Sequence, residues 1–452
     1  MAELLSVGLD VGTTSTQLVV SRLEVANRAS AFAVPELDIA QRKILYQSPV
    51  YFTPLLEEKR MDASALREIV EREYKNAGIR REDVDTGAII VTGETSRKEN
   101  AAAVMEAMAD LAGDFVVAAA GPDLESVLAA KGAGAVEYSE KTGENVLHMD
   151  IGGGTSNLAL IRRGEIVATG CLNVGGRLIK LQNGILTYVS PVLQGIWSGR
   201  VGQPLSLDRA KELAALLASA LEMAAGLKAP DALLEQLTTR EAQSKLPLNE
   251  PGEKITLSFS GGVADCIDRE VPWQEYGDLG PLLGRAIRES KLCKGKYVLG
   301  SQTIRATVIG AGCHSTQLSG STVFCQNVAF PLKNIPVITD LAQRSQYEGP
   351  CFYAMPGLSA PSYQALSELA GEIGAKIPPP IYLCLEQDMA KALGQALALR
   401  LGRQMPILCL DRVKVSQGSY LDVAAPVGPA FPVVVKTLIL QKTNSRIEPE
   451  NV

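Results

Sequence analysis

The chain has 452 residues, long enough for about two to four domains of ordinary size. Hydrophobic residues at 46% suit a protein that buries a core, whereas aromatics at 5% and a net charge of −6 argue against nucleic acid as the main partner. No run of 18 apolar residues supports a membrane span, residues 1–5 lack the basic start of a signal peptide, and none of the eight cysteines forms a CxxC pair, so a cytoplasmic protein with reduced thiols is expected.

The first predicted element is a β-hairpin over residues 7–20, Val-Gly-Leu-Asp-Val-Gly-Thr-Thr-Ser-Thr-Gln-Leu-Val-Val, with apolar strands flanking a polar turn. The turn combines Gly12 with Thr13, Thr14 and Ser15. A glycine lets the backbone come close to a ligand, and consecutive N–H groups beside hydroxyls form an anion-binding concavity. Asp10 stands just before the turn. A carboxylate beside a phosphate is repulsive unless a divalent cation lies between them, so Asp10 predicts Mg2+. One such hairpin is equally an ordinary Gly/Thr turn whose Asp caps its own backbone.

Residues 89–101 read Ile-Ile-Val-Thr-Gly-Glu-Thr-Ser-Arg-Lys-Glu-Asn-Ala, an apolar start running into a polar stretch. An Ala/Gly-rich helix is predicted over residues 123–134. Glu125, in its opening turn, is a candidate for polarising water or holding Mg2+ through water; a plain acid at a helix N-terminus is the structural alternative. Then the hairpin returns. Residues 147–160 read Leu-His-Met-Asp-Ile-Gly-Gly-Gly-Thr-Ser-Asn-Leu-Ala-Leu. In register Asp150 meets Asp10 and Gly152 meets Gly12; Gly153, Gly154, Thr155 and Ser156 meet the polar run from Thr13, and Asn157 meets Gln17. Self-similarity of this kind turns an ordinary turn into a duplicated phosphate-binding device with two metal-side carboxylates, Asp10 and Asp150. The pair resembles the phosphate hairpins of the actin/Hsp70-like ATPases.

Ser206 is the expected N-cap of an amphipathic helix continuing through Leu213, Leu217 and Leu221. Lys211 and Glu212 on it are either neighbours of an adenine or a solvated face. Residues 255–262 run from a strand into Ser260, Gly261 and Gly262, which resemble the adenosine motif of the actin-like ATPases. A second Ala/Gly-rich helix is predicted over residues 304–312. It and the helix over 123–134 fit the crossings between the lobes of that superfamily, because small residues let two helices approach and slide. After Pro378, Pro379 and Pro380 the chain reads strand, helix, strand over residues 381–386, 387–401 and 406–410. No GxxxxGK[ST] segment exists, the Gly-Ala-Gly-Cys-His-Ser of residues 310–315 lacks the last glycine of a dinucleotide motif, and two histidines are too few for a zinc site of usual spacing.

Residues 5–20, 89–101, 120–126, 148–157 and 304–312, with the tail 420–437, together resemble the ethanolamine ammonia-lyase reactivating factors over nearly the whole chain. The resemblance implies an α/β fold of the actin-like ATPase kind, with duplicated ribonuclease H-like lobes around a nucleotide cleft and an extra C-terminal α/β region. The expected divisions are 1–140 for the first lobe, 141–312 for the second, and 313–452 for the return to the first lobe and the C-terminal region. It further implies an ATPase using ATP and Mg2+ to release damaged cobalamin from ethanolamine ammonia-lyase, so that intact adenosylcobalamin can rebind. The lyase is the implied partner, and the cytoplasm, with its ethanolamine-utilisation microcompartment, the implied location. Asp10, Asp150 and Glu125 would be catalytic, and the two turns with Ser260, Gly261 and Gly262 would bind nucleotide. The residues alone leave three alternatives open: a small-molecule kinase of the same fold, an actin-like filament protein, and a dehydratase activator with an iron–sulfur cluster. The absence of paired cysteines speaks against the last.

Overall fold

In a computed structural model of the chain, both copies of the repeat open a sheet of the same construction. The structure describes residues 2–12, 15–27, 37–57, 60–91, 116–119, 122–239, 245–250, 252–300, 303–314, 316–319, 322–347, 349–358, 361–413, 415, 419–426 and 431–437. In the first lobe, β1 (Ala2–Val11), β2 (Ser15–Asn27) and β3 (Leu37–Gln47) precede helix α1 (Ala63–Ala77), β4 (Thr86–Val91) and β5 (Val116–Ala119). The sheet order is β3-β2-β1-β4-β5, antiparallel through β1 and parallel beyond it.

Strand periodicity explains what each face of β1 meets. Val7, Leu9 and Val11 pack with Leu66, Val70 and Tyr74 of α1. The alternate positions are small: Ser6 donates to the carbonyl of Gly312, and a Cβ on Gly8 would lie 2.5 Å from the carbonyl of Val308. That face is therefore shaped to receive a helix at backbone contact distance.

The second lobe repeats the plan. Helices α2 (Pro122–Gly132) and α3 (Ala135–Thr142) lead into β6 (Val146–Ile151), β7 (Ser156–Arg162) and β8 (Glu165–Leu172). Helix α4 (Leu207–Ala224), β9 (Thr256–Ser260), α5 (Gly280–Glu289) and β10 (Tyr297–Leu299) complete it. The order β8-β7-β6-β9-β10 and its strand directions copy the first sheet. Ser206 caps α4 through its Oγ, which accepts from the Arg209 N–H at 3.4 Å, and Leu213, Leu217 and Leu221 bury against Leu147, Met149 and Phe259.

Two helices join the lobes by changing sides. Helix α2 lies before residue 140 yet packs on the second sheet, while α6 (Ala306–His314) follows the second sheet and packs on the first. They also cross each other at glycine: a Cβ on Gly132 would sit 1.8 Å from the Ala306 carbonyl, and one on Gly310 would sit 2.0 Å from the Leu128 carbonyl. Duplicated ribonuclease H-like lobes with exchanged helices make this the actin-like ATPase fold.

The C-terminal region adds an eight-stranded sheet. Its strands are β11 (Thr316–Leu318), β12 (Phe324–Gln326), β13 (Leu332–Ile338), β14 (Phe352–Met355), β15 (Ile381–Leu385), β16 (Ile407–Asp411), β17 (Ser419–Val423) and β18 (Pro432–Thr437), in the order β11-β18-β17-β13-β14-β15-β16-β12. Helices α7 (Tyr363–Lys376) and α8 (Ala390–Leu401) bury Ile373, Leu393 and Leu397 against β15 and β16. The expected strand–helix–strand unit is thus present. Leu318 packs with Leu4, Leu23, Val25 and Ile39, and Val434 with Ala88 and Ile90, which fastens this sheet to the first lobe.

Candidate nucleotide cleft

The two hairpins close with the same pairing. In the first, Asp10 stands opposite Gln17 and Val11 opposite Thr16; in the second, Asp150 stands opposite Asn157 and Ile151 opposite Ser156. Each tip is closed by one backbone bond of 2.9 Å, Gly12 N–H to the Ser15 carbonyl and Gly152 N–H to the Thr155 carbonyl. The first tip is buttressed by Thr53, whose hydroxyl donates to the Gly12 carbonyl at 2.7 Å and which directly follows a short strand, Tyr51–Phe52, paired with β2. The second is held from behind: the Gly176 and Arg177 N–H groups donate to the carbonyls of Gly152 and Gly153 at 3.0 and 2.6 Å. Among the described residues, a Cβ on Gly154 would meet nothing within 4 Å.

Both tips open into one solvent-open cleft of about 340 Å³ between the lobes. Its wall brings together Asp10, Gly12, Ser15, Glu125, Asp150, Gly152, Gly153, Gly154, Thr155, Gly261 and Gly262, which lie up to 252 positions apart in the chain. Thr13 and Thr14 lie outside the described residues, as does segment 92–100. Ser260 is fully buried and is not among the residues lining the cleft, and its hydroxyl donates to Asp150 Oδ1. Lys211 lines a separate groove between α4 and α5, and neither it nor Glu212 is among the residues lining the cleft.

Behind Asp150 runs a buried hydrogen-bond chain that sequence reading did not assign. Ser260 Oγ lies 2.9 Å from His148 Nε2, and His148 Nδ1 lies 3.0 Å from Ser258 Oγ. A serine hydroxyl has one proton, and Ser260 gives it to the carboxylate, so Nε2 must carry the proton it donates to Ser260. In a neutral ring Nδ1 is then the acceptor, from Ser258. Burial supports the neutral ring by pushing its pKa down to about 3. Thr307, at the start of α6, donates to Asp150 Oδ2 at 3.3 Å. Burial raises the Asp150 pKa, and the Ser260 and Thr307 hydroxyls oppose that rise.

The cleft holds other groups that the hairpin motif did not announce. Arg177 pairs with Asp278 at 3.1 Å, and its guanidinium lies 5.4 Å from the Phe52 ring centroid, a contact that spans the two lobes. Burial raises the Asp278 pKa against the pull of the Gly280 N–H and Arg177. Asp265 accepts from Thr303 Oγ1. The legible signal was Gly175-Gly176-Arg177, a glycine pair before a cation following a strand; a Cβ on Gly175 would lie 2.4 Å from the Gly153 carbonyl.

The donor set fits a magnesium ion. Among the described residues no cluster of three or more His, Cys, Asp and Glu could cage a metal, whereas two carboxylates face one cleft from opposite hairpins. Mg2+ is held through one or two carboxylates, substrate phosphates and waters, not by an all-protein cage. None of the eight cysteines is in a disulfide, seven of them are buried, and burial pushes the Cys266 thiol beside the cleft up to about 11. Among the described residues, no helix is long and apolar enough to cross a membrane.

Comparison with known proteins gives a family match along the chain. The family model described as "Ethanolamine utilisation protein EutA" matches residues 2–352 and 343–441. The ethanolamine ammonia-lyase reactivase EutA of Salmonella typhimurium is 39% identical over 472 aligned residues, covering 96% of this chain and 98% of the relative. Its counterpart in Escherichia coli is 38% identical with the same coverage. Among solved structures, the Aquifex aeolicus PPX-GPPA enzyme is 12% identical and covers 68% of this chain and 99% of its own, with a TM-score of 0.42.

Proposed function

The chain belongs to the EutA family of ethanolamine utilisation proteins, and from that premise we propose that it is an ATP- and Mg2+-dependent reactivating factor for ethanolamine ammonia-lyase. The observation that carries the nucleotide part is the convergence of two equivalent hairpin tips, each behind an aspartate, on one cleft. In this reading the backbone N–H groups and hydroxyls of Thr13, Thr14 and Ser15, with Gly153, Gly154 and Thr155, cradle the phosphates, while Gly12 and Gly152, whose own N–H groups close the tips, let the backbone come close. Gly261 and Gly262 provide the nucleoside face, and Ser260 orients Asp150. Asp10 and Asp150 hold the cation, which supplies charge neutralisation between carboxylate and phosphate. Glu125, in the first turn of α2, polarises the attacking water.

The cleft's hinge supports a switch more than a metabolic catalyst. Thr307 bonds to Asp150 from the crossing helix α6, so a change at the metal-side carboxylate reaches the lobe junction directly. Closing and opening of the lobes would loosen the damaged cobalamin in the partner lyase, and intact adenosylcobalamin would then bind. The setting for this work is the cytoplasm, in association with the ethanolamine-utilisation microcompartment.

The reading is tested with cyanocobalamin-inhibited ethanolamine ammonia-lyase, free adenosylcobalamin and ATP·Mg2+, scored for regained lyase activity. Recovery that requires both the protein and ATP is expected. Absence of recovery, with a protein shown to be folded and to bind ATP, would remove the reactivating role.

A further inference from the structure

Two amide side chains of the cleft have no part in the reading above. Gln17 and Asn157 hold equivalent places in the two hairpins, directly across from Asp10 and Asp150. Both line the cleft and both are buried, at 3% and 2% exposure. Among the described residues, Gln17 Oε1 and Asn157 Oδ1 each have no hydrogen-bond partner. For Gln17 the amide orientation follows from its neighbour, because Nε2 donates to the Ile304 carbonyl at 3.1 Å and leaves the oxygen unpaired.

A buried carbonyl without a donor is unfavourable and calls for an explanation. Here the fold carries it twice, at positions related by its own duplication, each beside a carboxylate. Side chains opposite each other on antiparallel strands stand roughly 5 Å apart at Cβ, so each amide oxygen borders the same space as its aspartate. The missing partner must be a donor. Ionised nucleotide phosphates offer only acceptors, and so do the aspartates. Water bound to a divalent cation is a strong donor, and Mg2+ keeps several waters when it binds.

We propose that Gln17 Oε1 and Asn157 Oδ1 accept hydrogen bonds from the water ligands of a hydrated Mg2+ held between Asp10 and Asp150, so that two carboxylate–amide pairs grip the hydrated ion. The inference rests on the cleft being a nucleotide–metal site. Neutral amides suit a switch, since they orient the metal's waters without adding charge that would hold the ion after the nucleotide leaves.

The test is ADP binding measured by calorimetry in EDTA and in Mg2+, with wild type, Asn157→Leu and Asn157→Asp. Leucine keeps the branched shape of asparagine and removes the unpaired oxygen. Asn157→Leu is expected to bind ADP in EDTA as wild type does, and to lose roughly tenfold of the Mg2+-dependent strengthening. Asn157→Asp, which preserves shape and adds a charge, is expected to enlarge that strengthening. An undiminished Mg2+ effect in Asn157→Leu overturns the proposal, as does an equal loss with and without Mg2+. If Asn157→Leu does not fold, an unchanged or smaller Mg2+ effect in Asn157→Asp overturns it. A wild-type protein with no Mg2+ effect would sink the nucleotide–metal reading itself, and this inference with it.

Discussion

Gly261 and Gly262 follow one another along the cleft wall, but a methyl group would meet different things at each. At Gly261 the backbone has φ +88° and a Cβ would lie 2.3 Å from the Ile151 carbonyl, at the root of the second hairpin. At Gly262 the nearest contact is a flexible side-chain atom of Ile304 at 3.9 Å. Gly261→Val is therefore expected to destabilise the second lobe, by overpacking and by a strained left-handed backbone. Gly262→Val is expected to fold and to weaken nucleotide binding by roughly tenfold, since it fills only cleft space. Thermal melts together with ATP titrations separate the two; normal ATP affinity in Gly262→Val would move the nucleoside elsewhere. At the carboxylates, Asp10→Asn and Asp150→Asn should each lower Mg2+-dependent hydrolysis on the order of a hundredfold with the fold intact. The double variant should lose less than the two losses combined, because the pair acts as a unit. Unchanged hydrolysis in either single variant would take that residue out of the site. His148 adds a pH signature. Its folded pKa of about 3 lies below the ordinary 6.5, so the unfolded chain gains a proton near pH 6.5 that the folded chain refuses. Its contribution to stability is complete above pH 6.5 and falls as pH drops towards 3, with about 2 kcal/mol lost between pH 7 and pH 5. The raised pKa of Asp150 works in the opposite sense, but it is common to wild type and variant. Urea unfolding at the two pH values should show His148→Gln losing less stability than wild type, and equal losses would contradict the assignment of a buried neutral ring.

At the scale of elements, the two crossing helices depend on glycine for a reason that composition only hinted at. Ala/Gly richness indicated close helix approach, and the structure gives it a place: Gly132 against the Ala306 carbonyl, and Gly310 against the Leu128 carbonyl. Even one methyl group at Gly310 meets backbone, so Gly310→Ala should cost about 1–3 kcal/mol of stability. A perturbation of that size matches the energy by which a ligand couples two states, so the variant should still bind ATP and lose most of its reactivation. Full reactivation by a folded Gly310→Ala protein would place the moving joint elsewhere. The hairpins were legible because a duplicated motif carries its own control: Asp10 and Asp150 align only if the turns align. The direction of the Ser260 side chain was not legible, for a local reason. A Ser-Gly-Gly end of strand says that a close approach occurs, but not whether the serine faces the ligand or the carboxylate behind it. Arg177, Asp265 and Asp278 were missed because they come from loops that no repeat duplicates and reach the cleft only through tertiary packing.

Across the whole molecule, the two lobes share one sheet order, and the two exchanged helices pack on each other, with Thr307 of α6 reaching Asp150 of the second lobe. The C-terminal sheet was legible only in its parallel part, where strand–helix–strand periodicity is strong. Its outer strands β11 and β18 are short or distant in sequence, and their pairing, Thr316 opposite Val434, brings together segments more than a hundred residues apart. That sheet rests on the first lobe through Leu318 and Val434, so lobe movement would carry it along. The central claim is that nucleotide in the cleft drives loss of damaged cofactor from the lyase, and its most direct test measures release without relying on regained catalysis. Cyanocobalamin-inhibited ethanolamine ammonia-lyase is mixed with the protein and filtered, and the free cobalamin is read by its visible absorbance. Release is predicted with ATP·Mg2+ and wild-type protein, and none with ATP in EDTA or with the Asp10→Asn, Asp150→Asn double variant. Equal release without nucleotide, or by the double variant, would contradict the account.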